Sequence, residues 1–220
     1  MNKIFTLVIF IIMPSLMYAD SEETDKITGS GVSITETRAD SNYSALDISI
    51  AFDQIIVHCG SGYSMNIVGD NNIVPLIITK VKDDVLYISS EKEFETRAES
   101  VLTIHVQTLD TLSFQGVGEM TVDELDNKVF HCDFSGVGSC TLTGKVNNFT
   151  MNMNGVGSVN AKELIANIVD ANVNGVGSAE VYASDSLHAA VNGIGALTYY
   201  GNPKKTDIGN SFLGGITKGD

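Results

Sequence analysis

The chain has 220 residues, of which 43% are hydrophobic, and it carries a formal net charge of −14 at pH 7. A polypeptide of this length can bury a full hydrophobic core. Because so negative a chain repels phosphate backbones, nucleic acid is excluded as an expected partner.

The N-terminus has the pattern of a secretory signal peptide. Lys3 supplies a positive charge, residues 4–13 are almost wholly apolar, and Ala19 precedes a polar stretch. The apolar run is short for a membrane span, so cleavage after Ala19 is expected. This predicts a signal peptide, 1–19, and a flexible N-terminus, 20–26. The remainder would be exported to the periplasm, the cell surface or the extracellular space, with no membrane span left.

Residues 27–110 are predicted to form an irregular β region. The segments Ala45–Ile50 and Val101–Val106 alternate apolar and polar residues, which is typical of strands with one buried face. The charged stretch 91–99 is expected to be solvated and mobile. No linker separates this region from the rest of the chain, so its irregular coils are expected to close one end of a continuous structure.

The C-terminal half contains a repeat whose copies are spaced by 20, 19, 20 and 18 residues. The copies are Gly-Val-Gly at 116–118, 136–138, 155–157 and 175–177, and Gly-Ile-Gly at 193–195. Apolar residues stand two and four positions before and after each copy, and the intervening positions are mostly polar. Since one such strand cannot bury its face alone, stacked copies are expected to form a β-solenoid of about five regular coils over residues 111–200.

The central residue of each Gly-x-Gly unit could either be buried in the core or be exposed on the outside of the solenoid. Gly accepts a positive φ and a close backbone approach, so the unit can be a corner of each coil without any ligand. If the chain bends there, the central residues belong to the core. If the alternation continues, which we favour, they form an outward apolar column that needs a cover, such as a second subunit or a partner. We call these residues the Val column: Val117, Val137, Val156, Val176 and Ile194.

A second set of equivalent positions holds asparagines. Stacked amides can bond to one another along the coil direction, or they can present donors and acceptors to sugar hydroxyls, which makes them candidate ligand-binding residues. We call them the Asn ladder: Asn152, Asn154, Asn172, Asn174 and Asn192.

The position five residues before each first glycine is also polar. It is held by Thr111, His131, Thr150, Asp170 and His188. Thr150, Asp170 and His188 do not make a triad, because the Asp would lie between the other two side chains. Asp170 and His188 are a weak candidate for metal binding, and a solvated polar column is the alternative.

Known catalytic and cofactor motifs are missing from the sequence. It contains no G-x-S-x-G, P-loop, G-x-G-x-x-G or H-E-x-x-H pattern. The three cysteines, Cys59, Cys132 and Cys140, show no C-x-x-C spacing, and we expect them to be buried as small apolar residues, with any disulfide left open. We therefore expect no catalytic residue, no cofactor and no metal.

The chain resembles the auto-transporter adhesin head GIN domain family of bacterial cell envelopes. The resemblance is carried by Gly29–Gly31, Thr35–Arg38, Phe52–Asp53, Ile55–Val57, Val81–Ile88, the Gly-x-Gly units and Tyr200–Pro203. It implies a single-stranded, pectin-lyase-like β-helix without preserved catalytic residues, and a role in cell adhesion. It also implies one head domain over 27–215, which would leave a tail, 216–220. The family commonly has a smaller residue between the glycines, and no literal Gly-Ile-Asn occurs here, so no functional residue is carried over.

Three functions remain open. The first is an exported, non-enzymatic envelope protein that binds a cell-surface glycan or protein through a solenoid face. The second is a polysaccharide-active enzyme of the β-helix type, which would need clustered carboxylates or basic groups on one face, whereas the coils carry mainly Asn, Ser and Thr. The third is a structural or assembly module in which the Val column joins subunits into a homo-oligomer.

Overall fold

A computed structural model describes residues 26–38, 42–209 and 214–220. The predicted signal peptide, 1–19, and all but the last residue of the predicted flexible N-terminus, 20–26, lie outside the described residues. Within the described ranges the elements are strands, apart from a 3-10 turn at Val74–Leu76. None of these ranges contains a helix with the length and apolar character that crossing a membrane requires.

Nine strands belong to the N-terminal region, and eight follow in the repeat region and at its C-terminal end. The first nine are β1 Ile27–Thr28, β2 Ser33–Arg38, β3 Ala45–Ile48, β4 Ala51–Cys59, β5 Ser64–Asp70, β6 Ile77–Lys82, β7 Val85–Ser90, β8 Phe94–Glu95 and β9 Val101–Val106. The others are β10 Thr111–Phe114, β11 Val117–Phe134, β12 Val137–Met153, β13 Val156–Val173, β14 Val176–Val191, β15 Ile194–Tyr200, β16 Lys205–Ile208 and β17 Gly215–Lys218.

Strands β10 to β15 stack in parallel, with equivalent repeat positions as direct neighbours. Phe134, for example, pairs with Phe114 on one side and Met153 on the other. Each strand of 16 to 18 residues from β11 to β14 runs nearly a whole coil. The predicted all-β solenoid of about five stacked coils is confirmed.

The interior of the stack is filled by the apolar positions of the repeat. Phe130 stacks on Phe149 with ring centroids 5.9 Å apart, and both rings are buried. In later coils the interior residues become smaller, so that Met151 is followed in its column by Ala171. The three cysteines are free thiols in this interior, which confirms their predicted burial: Cys59, Cys132 and Cys140.

The Gly-x-Gly units let adjacent coils approach closely. At Gly157 φ is +141°, and a Cβ atom there would fall 1.8 Å from the carbonyl oxygen of Gly138. The hydrogen-bond ladder nevertheless continues through the unit, because the Val156 N–H donates to the Gly136 carbonyl at 3.0 Å. The central residue therefore stays outside the stack instead of turning into the core.

The N-terminal region interleaves with the solenoid. Strands β3 and β4 form a coil that pairs in parallel with β10 and β11 on one side and with β7 and β9 on the other. Beyond it the direction changes, because β6 on β7, β5 on β9 and β2 on β5 are antiparallel pairs. Asp83 and Asp84, both at positive φ, make the two-residue turn that joins β6 to β7, a connection open only to antiparallel strands. The predicted irregular coils are thus partly replaced by antiparallel pairs, of which β6 and β7 form a hairpin.

The stretch 91–99, which was predicted to be solvated and mobile, is paired in the structure. The stretch 91–99 has exposed charges, but β8 pairs with β1, and the Asp70 carboxylate accepts hydrogen bonds from the backbone N–H groups of Arg97 and Ala98. At the other end, β17 pairs with β15 and runs past the predicted domain boundary at residue 215. Charge indicates solvated side chains and says little about the backbone, which explains the pairing within 91–99.

Candidate functional site

The Val column lies on the outside of the stack. Its five side chains are between 46% and 58% exposed, and each is the direct strand neighbour of the next. With strands about 4.8 Å apart, the column is about 19 Å long. Continued alternation through the Gly-x-Gly unit, the arrangement favoured by the sequence, is what the structure shows.

The surface around the Val column is regular and nearly uncharged. We call it the Val face and define it by residues 117–121, 137–141, 156–160, 176–180 and 194–198. Beside the Val column it carries a row of serines, Ser139, Ser158 and Ser178, and a row of Thr and Asn residues, Thr121, Thr141, Asn160 and Thr198. Its only charged residues are Glu119 and Glu180. Exposed apolar surface rimmed by polar residues is typical of an interaction site.

The polar row of the Val face continues into the N-terminal region. From Thr121 it passes to Ile56 on β4 and Thr103 on β9, and then to Asn66 on β5 and Thr37 on β2. At the other end Thr198 pairs with Thr217 on β17. The row therefore crosses β2, β5, β9, β4, β11, β12, β13, β14, β15 and β17. Ten strands spaced about 4.8 Å apart give a surface about 43 Å long.

The Asn ladder lies along the neighbouring side of the stack, and its amides bond to one another. Asn192 donates to Asn174 and Asn174 donates to Asn154, both at 2.9 Å. A parallel set runs from Asn172 to Asn152 at 3.5 Å and from Asn152 to Asp133 at 2.7 Å. The bonds along the coil direction that were one alternative are therefore present. The Asn172 amide also donates to the Asp170 carboxylate at 3.0 Å.

The predicted polar column brings Thr150, Asp170 and His188 together as direct strand neighbours. The Asp170 carboxylate accepts a hydrogen bond from the Asn172 amide at 3.0 Å, whereas His188 Nδ1 lies 3.1 Å from the Asp207 carboxylate. The partner of His188 is thus Asp207, which the sequence did not single out. In the ranges that the structure describes, no group of three or more His, Cys, Asp or Glu side chains is arranged to hold a metal ion.

A cluster that sequence reasoning missed lies where the N-terminal region meets the solenoid. His105, His58 and Asp123 are direct neighbours on β9, β4 and β11. His58 Nδ1 lies 2.9 Å from the Asp123 carboxylate, and the Ser61 hydroxyl lies 3.2 Å from His105 Nδ1. This is not a catalytic triad, because the His beside the Ser is not the one beside the Asp. No repeat relates β4 and β9, so no sequence signal shows their register.

The buried titratable groups have structural roles. Burial would raise the pKa of the Asp70 carboxyl, but hydrogen bonds from the backbone N–H groups of Arg97, Gly31 and Ala98 outweigh it and lower that pKa. Burial, with smaller effects of nearby Asp123 and Glu124, raises the pKa of Cys59 to about 12. This thiol stays protonated at neutral pH, which disfavours it as a nucleophile or metal ligand.

The pKa of Cys132 is also raised. The largest cause is a hydrogen bond with the Cys140 side chain, and burial of the thiol adds to it. Cys132 therefore stays protonated at neutral pH, like Cys59.

The stacked coils and the flat Val face define a single-stranded β-solenoid domain with a surface open to a partner. Residues 42–203 match the family described as "Putative auto-transporter adhesin, head GIN domain", and the chain belongs to this family.

Solved structures share the fold. A putative adhesin from Bacteroides fragilis NCTC 9343 is 27% identical with a TM-score of 0.72, over 87% of this chain and 99% of that one. A putative adhesin from Parabacteroides merdae ATCC 43184 is 16% identical (TM-score 0.55, 89% of this chain and 100% of that one). A putative lipid binding protein from Parabacteroides distasonis ATCC 8503 is 18% identical (TM-score 0.53, 89% and 100%). No curated protein matches the chain.

Proposed function

We propose that this chain is an exported, non-enzymatic protein of the bacterial cell envelope that adheres to a surface glycan or protein through the Val face. The observation that carries the proposal is the Val column, a row of half-exposed apolar side chains on a nearly uncharged face of a chain with net charge −14. The family description and the B. fragilis structure support adhesion. The pattern of residues 1–19 supports export.

The Val face is suited to binding because it is flat and rigid. A Cβ on either glycine of a unit would collide with the preceding coil, so the surface beside each Val cannot carry larger side chains. A partner that covers the exposed half of each Val gains roughly 1 kcal/mol per residue. The Ser and Thr hydroxyls beside the column can hydrogen-bond to sugar hydroxyls or to a protein backbone. Asn154, Asn174 and Asn192 of the Asn ladder, one position before the last three units, extend this polar surface.

The proposal is tested with the purified protein beginning at residue 20. Its binding to a glycan array and to extracts of cell-surface proteins is measured for the wild type and two matched variants. Val156→Glu places a charge in the middle of the Val face. Ile168→Glu places the same charge at a side chain of similar exposure outside that face (50% and 46%).

A tenfold or greater loss of binding is expected for Val156→Glu, because its charge must be desolvated on contact. Ile168→Glu should bind like the wild type. Circular dichroism confirms that both variants fold. Absence of binding to every glycan and extract, or equal losses in the two variants, would refute the proposal.

A second candidate is an assembly module, and the low charge of the Val face favours it. The Val face itself, about 19 Å long and five residues wide, covers about 300 Å², so a standard interface of roughly 800 Å² per partner would also need the strands that continue its polar row. Two copies of so acidic a chain would also meet with least repulsion through their uncharged faces. Light scattering of the wild type and of Val156→Glu tests this, because a monomeric wild type at high concentration excludes it.

The enzyme alternative gains little support from the Val face. Glu119 on β11 and Glu180 on β14 are three strands apart and offset by two residues, so their backbones are separated by about 16 Å. Paired glycosidase carboxylates lie about 5 to 9.5 Å apart. Release of new reducing or unsaturated ends from polysaccharides incubated with the protein would support the enzyme alternative instead.

A further inference from the structure

The cluster of His58, His105, Asp123 and Ser61 lies outside the Val face and has no part in the proposed adhesion. The two imidazole rings stand on neighbouring parallel strands, with centroids 5.0 Å apart and planes tilted by 30°. The side chain of His58 is 35% exposed and that of Asp123 is 30% exposed. Solvent therefore reaches the pair without any change in the strands.

The hydrogen bonds of the cluster define which ring nitrogens are occupied. A carboxylate only accepts hydrogen bonds, so the Nδ1 atom of His58 carries the proton that it donates to Asp123. When His58 is neutral, its Nε2 atom then has a free lone pair. In His105 the Nδ1 atom lies against the Ser61 hydroxyl. Neither Nε2 atom has a hydrogen-bond partner within the described part of the chain.

This arrangement is the one that metal-binding histidines adopt. A ligating His commonly donates its second ring N–H to a carboxylate or another acceptor, which fixes the tautomer and makes the free nitrogen more basic. Here Asp123 is the acceptor for the Nδ1–H group of His58, and the Ser61 hydroxyl can accept a hydrogen bond from the Nδ1–H group of His105. We propose that the Nε2 atoms of His58 and His105 together bind one divalent transition-metal ion of the kind that imidazole prefers, Zn²⁺ or Cu²⁺.

The geometry requires only side-chain movement. Two nitrogens at about 2.0–2.1 Å from one ion lie about 3.3 Å apart in tetrahedral coordination. Each imidazole can rotate about its own side-chain bonds, so the two Nε2 atoms can approach each other without a change in the strand pairing. Water completes the coordination. Cys59, next to His58, faces the core as a protonated thiol and supplies no ligand.

The surrounding charge favours a cation. Asp123 and Glu124 adjoin the pair, and the whole chain is strongly negative. A bound ion would tie β9 of the N-terminal region to β4, the first coil of the solenoid. Since the ion binds only when these strands are paired, it stabilises the folded state over the unfolded one.

The test uses untagged protein that has been dialysed against EDTA and then against metal-free buffer at pH 7.5. ZnCl2 is titrated by calorimetry, and CuSO4 is added for electron paramagnetic resonance. We expect one equivalent of Zn²⁺ to bind with micromolar affinity, a Cu²⁺ spectrum with nitrogen couplings, and a higher melting temperature in Zn²⁺.

Four variants identify the ligands. His105→Ala and His58→Phe should each lower the affinity at least tenfold, and the second keeps an aromatic ring stacked on His105. Asp123→Asn should lower it about tenfold, as loss of an outer partner does. His131→Ala is the matched control, because His131 is exposed and its neighbours on the adjacent strands are Thr111 and Thr150, not a second His or a carboxylate.

The proposed site is refuted if neither Zn²⁺ nor Cu²⁺ binds with a dissociation constant below about 1 mM, roughly the value for a single imidazole. Equal affinity in the wild type and in the folded His58→Phe and His105→Ala proteins would also refute it. So would a loss in His131→Ala as large as that in His58→Phe. None of these outcomes bears on the Val face, so the metal site and the adhesion proposal fail separately.

Discussion

Replacing Gly157 by Ala tests whether close packing of the coils depends on the Gly-x-Gly unit. Two costs arise at this position. A non-glycine residue at a φ of +141° is strained by about 1–3 kcal/mol. In addition, the new Cβ would lie 1.8 Å from the Gly138 carbonyl oxygen, so the two coils must separate there.

Separation of the coils breaks backbone hydrogen bonds at the corner, including the bond from Val156 to Gly136. Each lost bond costs about 1 kcal/mol. The loss of two such bonds and the strain together lower the free energy of unfolding by about 4 kcal/mol. Ala also lowers the conformational entropy of the unfolded chain, which offsets less than about 1 kcal/mol of this loss.

Two further glycines separate these costs. Gly62 has a φ of +66°, but a Cβ atom at this position would have no other atom within 4 Å. The loss of stability in Gly62→Ala therefore measures the backbone strain alone, about 1 kcal/mol. Gly215 has neither a positive φ nor a close neighbour, and Gly215→Ala should be neutral or slightly stabilising. Guanidinium unfolding followed by circular dichroism gives the order of stability.

Hydrogen exchange should locate the disturbance of Gly157→Ala in β12 and β13, since repeat arrays can lose cooperativity. A Gly157→Ala protein whose stability lies within 1 kcal/mol of Gly62→Ala would refute the reasoning, because the collision between coils would then cost nothing.

Three other outcomes are expected. Because the folded-state pKa of Asp70 is lowered, its carboxylate stabilises the protein above the ordinary Asp pKa of about 3.9, and this stabilisation is lost as the pH falls through the folded pKa. The difference in melting temperature between the wild type and Asp70→Asn should therefore shrink below about pH 4, and a difference that is constant from pH 7 to pH 3 would contradict this. Asn174→Ala removes two hydrogen bonds of the Asn ladder and should lower the free energy of unfolding in urea by about 1–2 kcal/mol. Asn148 is exposed and lies outside the ladder, so Asn148→Ala should lower it by less than about 0.5 kcal/mol. Equal losses in the two variants would rule out a stabilising ladder. Iodoacetamide should label none of the three buried cysteines in the native protein and all of them after unfolding, and rapid native labelling seen by mass spectrometry would show that the coils open.

The regular part of the fold could be predicted because the repeat itself gives the register. Once the five Gly-x-Gly units are aligned, Phe134 must lie between Phe114 and Met153, and the amides of Asn154 and Asn174 must be neighbours. Residues close to the units then have known partners, whereas the register shifts in the middle of the coils because the spacings differ. The same alignment placed Thr150, Asp170 and His188 side by side.

The rest of the structure depends on pairings that no repeat relates. The antiparallel strands of the N-terminal region follow from local turns such as Asp83–Asp84, and the register of β4 against β9 follows from the packing of the whole region. The contact of His58 with His105 was therefore not predictable. The pairing of His188 with Asp207 was missed because residues 205–208 lack the repeat motif, although their strand continues the stack.

The interleaved position of β3 and β4 bears on how the solenoid is assembled. These strands come early in the chain, yet both of their edges are occupied by strands that are synthesised later, β7 and β9 on one side and β10 and β11 on the other. Such long-range pairing is slow to form, since the loop must close before its contacts are gained. The coil of β3 and β4 can therefore be completed on both edges only after the chain through β11 has been synthesised. Removal of the last coil would shorten the stack, while removal of β3 would expose the edges of β7 and β10 that now pair with it.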